Sequence, residues 1–271
     1  MQRLAIVIPT YTNTDGLKHV LECLIKTGMN YPVVIVNNHK TPLSTSFLPD
    51  DISNPNLEIT VVEEGENRGF ARASNDGVKK ARAVYGSEYV AFVNDDISFK
   101  EDWIAACLHA MKKHGWHACT PVLTRPNGTV ENVGYQVLPI GRAVLITDPQ
   151  DARPKDGLTA AALVMETLAF TRLGGFDERL FAYLEDVELF LKAKKHGLSW
   201  GVETQVSVVH EGQVTSDRFP IKKAWLDLRN WSYLIIKHWA MRDLATYWPH
   251  ITVERIRNVS GLLKALMHAA T

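Results

Sequence analysis

Cysteine is scarce in this chain. Cys23, Cys107 and Cys119 are odd in number and form no C-x-x-C pair. That pattern excludes a disulfide framework and a cysteine zinc site, and suits a reducing compartment. Net charge is also missing, since 30 basic residues match 30 acidic ones. No global field draws the protein to nucleic acid, so binding must come from local sites. No uncharged apolar run reaches the length of a membrane span, and the N-terminal LAIVIPTY is broken by Pro9 too early for a signal peptide. The expected location is cytoplasmic. Glycine-rich phosphate loops are absent too: Gly65, Gly69 and Gly77 fit neither the dinucleotide nor the Walker spacing. There is no internal repeat or low-complexity tract.

What is present is an ordinary globular composition, 46% apolar and 22% charged over 271 residues, enough for one large α/β domain or a domain with an appendage. Residues 4–8 form a β-branched run ended by Pro9-Thr10. Residues 15–26 carry Leu17, Val20, Leu21 and Leu24 at helical spacing. Strands are predicted at 31–36 and 57–62, separated by a Pro/Ser/Asp/Asn-rich loop over 39–56, and a helix at 71–85. The run EYVAFVNDDIS at 88–98 reads as a strand buried on both faces that ends in Asn94-Asp95-Asp96. Strands alternating with helices predict a mostly parallel, Rossmann-like sheet with helices on both faces.

A helix follows at 101–114, with Glu101 and Asp102 in its first turn, and then a hairpin with irregular strands over 119–146. Residues 160–170 are apolar and small, 183–196 are helical and closed by Gly197, and 206–209 form a last buried strand ending at His210. Beyond Arg218 the chain is helical and rich in aromatics, among them Trp225, Trp231, Trp239 and Trp248.

Three polar groups fall at strand ends or after turns: Asn94-Asp95-Asp96, Glu185-Asp186 and His210. In open α/β sheets ligands bind at the carboxyl ends of strands, and two adjacent carboxylates there suit a divalent cation. The same triplet could instead cap the following helix. Glu185-Asp186 could serve only the helix dipole, and His210 could be a structural histidine at a strand end. The aromatics Phe176, Phe181 and Tyr183 around the second pair favour a carboxylate with a raised pKa, useful as a base.

The ordered set IVIPTY, VVIVNN, ENRGFARASNDGV, VAFVNDDI, GGFDERLFAYLEDVEL and VVHEG resembles the family 2, GT-A type glycosyltransferases, most like bacterial rhamnosyl- and galactofuranosyltransferases. The similarity covers residues 1–212. It implies an α/β GT-A domain over 1–215, with a nucleotide-sugar half at 1–98 and an acceptor half at 99–215, followed by a helical extension at 216–271. It also implies an inverting transfer from a UDP- or dTDP-linked sugar to a hydroxyl of a glycan or lipid-linked acceptor, in cell-surface polysaccharide synthesis.

By the same resemblance Asp96 and His210 hold a divalent cation, Mn2+ or Mg2+, and Asp95 and Asn94 lie near the donor sugar or ribose. Asp186 is the base and Glu185 supports it or orients the acceptor. Pro9, Thr10 and Tyr11 follow the nucleotide, with Asn37 and Asn38 near its base and Asn67, Arg68, Gly69 and Asn75 on the phosphate side. Many relatives carry aspartate where this chain has Asn37-Asn38, and the metal triplet opens on Asn94. The helices over 225–248 pack on the core, close the acceptor site, or lie on a membrane surface. Two competing classes are a module that binds a nucleotide sugar without transferring it and a nucleotidyltransferase. The first needs no base at Asp186, and the second needs a lysine-containing triphosphate loop that residues 9–15 do not offer.

Overall fold

The computed structural model describes residues 3–43, 57–151, 155–212 and 219–269. Its first half runs β1 (Leu4–Thr10), α1 (Thr14–Lys26), β2 (Val33–Asn37), β3 (Ile59–Glu63), α2 (Phe70–Tyr85), β4 (Tyr89–Val93), β5 (Ile97–Ser98) and α3 (Trp103–His114). Then come β6 (Ala118–Thr124), β7 (Val130–Asn132), β8 (Tyr135–Leu138), β9 (Arg142–Leu145), β10 (Ala162–Glu166), α4 (Thr167–Arg172) and α5 (Glu185–Lys195). The chain continues through β11 (Trp200–His210), α6 (Pro220–His238) and α7 (Met241–Ala269).

Every residue of β1 and β2 is buried, the environment that a continuous apolar run requires. Strands β3, β2, β1 and β4 pair in that order, all parallel. Beyond β4 the sheet turns mixed: β10 lies antiparallel to both β4 and β6, β11 is parallel to β6, and β5 is antiparallel to β11. The mostly parallel expectation therefore describes the first half of the sheet. The reversal is possible because β10 is reached through the β8–β9 hairpin and not through a crossover helix.

Helices cover both faces. Leu17 and Leu21 of α1 pack with Trp103 and Ile104 of α3 on one side. On the other, Ala71 and Val78 of α2 meet Phe190 of α5 around Phe92, Phe170 and Phe176. Gly77 permits the close seating of α2 on β1, because a Cβ there would sit 2.4 Å from the Val7 side chain.

Three boundaries differ from the sequence pattern for physical reasons. Helix α3 starts at Trp103, capped by Asp102, whose Oδ1 accepts from the Ala105 amide at 2.9 Å. Asp95 and Asp96 therefore cap no helix, and β5 stands between them and α3. Helix α5 starts at Glu185 because Phe181, Tyr183 and Leu184 all have positive φ, near 65–67°. Strand β11 is longer than its apolar core, since its first part carries Glu203, Thr204 and Gln205 before a register shift against β6. Part of the expected loop over 39–56 lies outside the described residues.

Helix α6 buries Trp231 and Leu234 against Tyr135, Leu180 and Val187. No helix among the described residues is long and apolar enough to cross a membrane.

Candidate functional site

The carboxyl ends of β1 and β4, the start of α5, the end of β11 and the first turns of α6 surround one cavity of about 550 Å³. Pro9, Thr10 and Tyr11 line it, as do Asn38, Asn67 and Gly69. So do Asn94, Asp95 and Asp96, and across from that triplet in sequence, Glu185, Asp186 and His210. Asn37, Arg68 and Asn75 do not reach its wall. The Asn37 amide donates to Glu63 Oε2 at 2.6 Å and to the Thr41 carbonyl. Arg68 pairs with Glu64 and Glu66, and Asn75 is tied to the Phe176 backbone and to Glu178. These three hold the walls from behind.

Backbone pairing brings the first cluster together. His210 pairs with Ile97 in the β5–β11 ladder, and the Glu211 amide donates to the Asp96 carbonyl at 2.9 Å. His210 Nε2 lies 3.4 Å from Asp96 Oδ1, while Nδ1 lies 3.0 Å from Glu131 Oε2. Burial alone would lower the His210 pKa, but the two facing carboxylates outweigh it and raise the value to about 10. Glu131 thus fixes the imidazole and leaves Nε2 directed at Asp96.

Asp95 faces the other way. Thr10 Oγ1 donates to its Oδ2 at 2.7 Å, and Asn13, the cap of α1, donates to its backbone carbonyl at 2.9 Å. Burial pushes the Asp95 carboxyl up to about 7 despite these donors, with the Asp96 charge adding to the rise. Asn94 Oδ1 and Asp96 Oδ1 are buried without a hydrogen-bond partner among the described residues. Unsatisfied hard oxygens beside an imidazole nitrogen are donors that a divalent cation fits. No group of three His, Cys, Asp or Glu side chains is arranged to enclose an ion among those residues.

The second cluster is a helix start in a tight setting. Asp186 Oδ1 accepts from the Val187 amide at 2.7 Å, and Glu185 Oε2 is buried without a partner. Burial raises both carboxyl pKa values, and the Asp186 charge raises that of Glu185 further. The acids do occupy the first turn of α5, where the helix dipole favours anions, yet desolvation prevails.

The segment leading into this pair is strained, because non-glycine residues at positive φ cost of order 1–3 kcal/mol each and persist only when their surroundings hold them. Asn230 of α6, fully buried, supplies that hold: its Nδ2 is 3.1, 2.9 and 2.8 Å from the carbonyls of Leu180, Ala182 and Tyr183. Arg229 adds bonds to the Arg179 and Leu180 carbonyls. Gly69 closes the contact from the donor side. It has φ +85°, and a Cβ there would meet the Phe181 carbonyl at 2.3 Å.

Sequence reasoning missed Glu131, Asn13 and Asn230. Asn13 had a local signal as the polar residue before an apolar-periodic helix. Glu131 and Asn230 had none, since their partners are 79 and 47 positions away.

The fold and the strand-end cavity define a GT-A type glycosyltransferase. Solved structures agree on the fold: S. aureus TarS 1-349 in complex with UDP-GlcNAc superposes with a TM-score of 0.62 at 15% identity, over 97% of this chain and 72% of that one. GalNAc-T7 with UDP, GalNAc and Mn2+ also gives 0.62, at 14% identity, and this chain spans 44% of its length. Residues 5–157 match the Glycosyl transferase family 2 model, and the chain belongs to that family. Among curated relatives, the low-salt glycan biosynthesis hexosyltransferase Agl10 of Haloferax volcanii is 22% identical over 84% of this chain and 73% of its own length. The N-acetylglucosaminyl-diphospho-decaprenol L-rhamnosyltransferase of Mycobacterium tuberculosis is 25% identical over 80% and 78%.

Proposed function

We propose that this enzyme transfers a sugar, with inversion, from a UDP- or dTDP-linked donor to a hydroxyl of a glycan or lipid-linked acceptor in cell-surface polysaccharide synthesis. The observation that carries the reading is the single cavity shared by Asp95-Asp96-His210 and Glu185-Asp186. A binding module needs the first cluster only.

In this mechanism Tyr11, Thr10 and Pro9 lie along the nucleotide, and Asn38, Asn67 and Gly69 shape its phosphate side. Asn94 and Asp95 orient the ribose or sugar. Asp96 and His210 would hold the divalent ion, Mn2+ or Mg2+. When bound, that ion neutralises charge on the departing nucleoside diphosphate. Asp186 accepts the proton of the acceptor hydroxyl as that oxygen attacks the anomeric carbon from the face opposite the leaving group. One displacement inverts the configuration. Glu185, kept protonated by burial, spares Asp186 a second negative charge. The fold division follows the same reading: a donor half at 1–98, an acceptor half at 99–215 and a helical extension at 216–271.

Peripheral association with the cytoplasmic face of a membrane belongs to this proposal. Trp248, Ile256, Val259, Leu263 and Met267 are exposed along α7, at the helical spacing of one stripe, with Arg257 and Lys264 at its border. A thermal-shift screen of nucleotide sugars with and without Mn2+ tests the donor reading, since a ligand that binds only the native state raises the melting temperature. No stabilisation by any nucleoside diphosphate with metal would count against it.

A further inference from the structure

The cavity is lined by five carboxylates, Asp95, Asp96, Glu185, Asp186 and Asp227, and its cationic groups are His210, Lys222 and Lys223. His210 is engaged by Asp96 and Glu131. The two lysines are less tightly engaged: neither side chain makes a close ion pair or hydrogen bond among the described residues, although the Lys223 charge acts on Asp227 one helical turn away on α6. Each instead faces an aromatic ring of the strained segment before α5. Lys222 Nζ lies 4.1 Å from the Phe181 ring centroid, and Lys223 Nζ lies 6.0 Å from that of Tyr183.

An aromatic face holds an ammonium group in place without neutralising it. The segment is itself fixed by Asn230 and by Gly69, so the lysines are positioned between the donor loop at Gly69 and the carboxylates at Glu185-Asp186. Two neighbouring ammonium groups held against aromatic faces on one wall of the cavity suit an anion with several oxygens. A phosphate matches, because Lys binds it as a point charge through short charge-assisted hydrogen bonds.

We propose that Lys222 and Lys223 form a phosphate-binding pair on the cavity wall contributed by α6. The phosphate comes from the donor diphosphate or from a phosphate-bearing lipid acceptor, and both use the same chemistry. The inference rests on the glycosyltransferase reading above for its two sources, not for the pair itself. It gives the C-terminal helices a direct part in binding as well as in packing.

The test is calorimetry on the full chain, comparing wild type with Lys222→Gln/Lys223→Gln and with Lys222→Arg/Lys223→Arg. The probes are inorganic pyrophosphate, UDP and uridine with Mg2+, and dodecyl phosphate micelles with UDP present. If the donor is the source, the glutamine variant binds pyrophosphate and UDP about tenfold or more weakly, uridine is unaffected and the arginine variant recovers, the loss expected from one or two charged hydrogen bonds. If the acceptor is the source, the dodecyl phosphate arm alone shows that loss. The inference is overturned if all phosphate probes bind the glutamine variant within about twofold of wild type, or if wild type binds none of them. Wild type that binds UDP, with the glutamine variant unaffected on every phosphate probe, removes the lysine pair and leaves the transferase standing. Lysine-dependent pyrophosphate binding without any nucleotide binding does the reverse.

Discussion

Two adjacent pairs of acids share one cavity and differ in the donors around them. Asp95-Asp96 sits at the end of a buried strand among donors, with Thr10 and Asn13 on one carboxylate and His210 beside the other. Glu185-Asp186 opens a helix behind a strained turn, with few side-chain donors and one carboxylate oxygen left without a partner. Burial raises the Asp95 carboxyl too, to about 7, yet the Thr10 and Asn13 donors oppose that rise and His210 faces Asp96, a polar lip that suits a cation. Without such side-chain donors, burial raises both Glu185 and Asp186 and keeps a proton near for acid–base work. Pairs of titratable groups whose environments diverge in this way are where such assignments are found.

The sharpest way to separate the pairs is Asp186→Asn. Loss of a positioned base should lower sugar transfer by about 10²–10⁴-fold. Calorimetric UDP affinity should stay unchanged, and transfer that survives would remove Asp186 from the mechanism. The matching change at the other pair, Asp96→Asn or chelation with EDTA, should abolish the metal dependence of UDP binding, and added Mn2+ should restore it only in the chelated wild type. Glu131→Gln tests the support behind His210, with metal affinity expected to fall about 10–100-fold.

The strained turn offers a third contrast. Asn230→Ala removes the amide donor of the Ala182 and Tyr183 carbonyls at a buried site, at about 1–3 kcal/mol for an unsatisfied group, while Leu180 keeps its bond from Arg229. The melting temperature should drop by several degrees. In the surviving fold kcat should suffer more than UDP affinity, because the turn positions Asp186 and not Asp96.

A smaller effect tests the desolvated setting itself. A carboxyl with a raised folded pKa binds its proton more tightly in the native state. Its contribution to stability is thus complete at low pH and is lost as pH rises from the ordinary carboxylate range through the folded value. Glu185→Gln removes that loss, so the variant should gain melting temperature on wild type at pH 9 relative to pH 5. For wild type, kcat/KM should fall as pH drops through the elevated Asp186 pKa, above the range of a free aspartate. The smallest effect is expected at the periphery: Trp248→Ser/Leu263→Ser on α7 should reduce co-sedimentation with anionic vesicles and leave transfer to a soluble acceptor unchanged.

Much of the donor side could be read from the chain. β1, β2 and β4 announce themselves as apolar runs because a strand covered on both faces excludes polar side chains, and the triplet ending β4 marks the lip of the sheet. Asn37 and Arg68 lie on the expected elements but do not line the cavity. Their side chains turn to Glu63 and Glu64 behind the cavity, a choice that depends on partners the local sequence does not reveal. The turn before α5 read as helix from residue 183, because propensity describes short-range preference and three positive φ angles are imposed from outside.

By itself the sequence determined the kinds of side chain available and the order of the buried elements, since burial patterns and turn residues act over a few positions. Tertiary structure decided which partners each buried acid meets. Desolvation depends on what covers a carboxylate, and here the covers come from afar: β11 carries His210 to Asp96, and α6 carries Asn230 to the turn before Asp186.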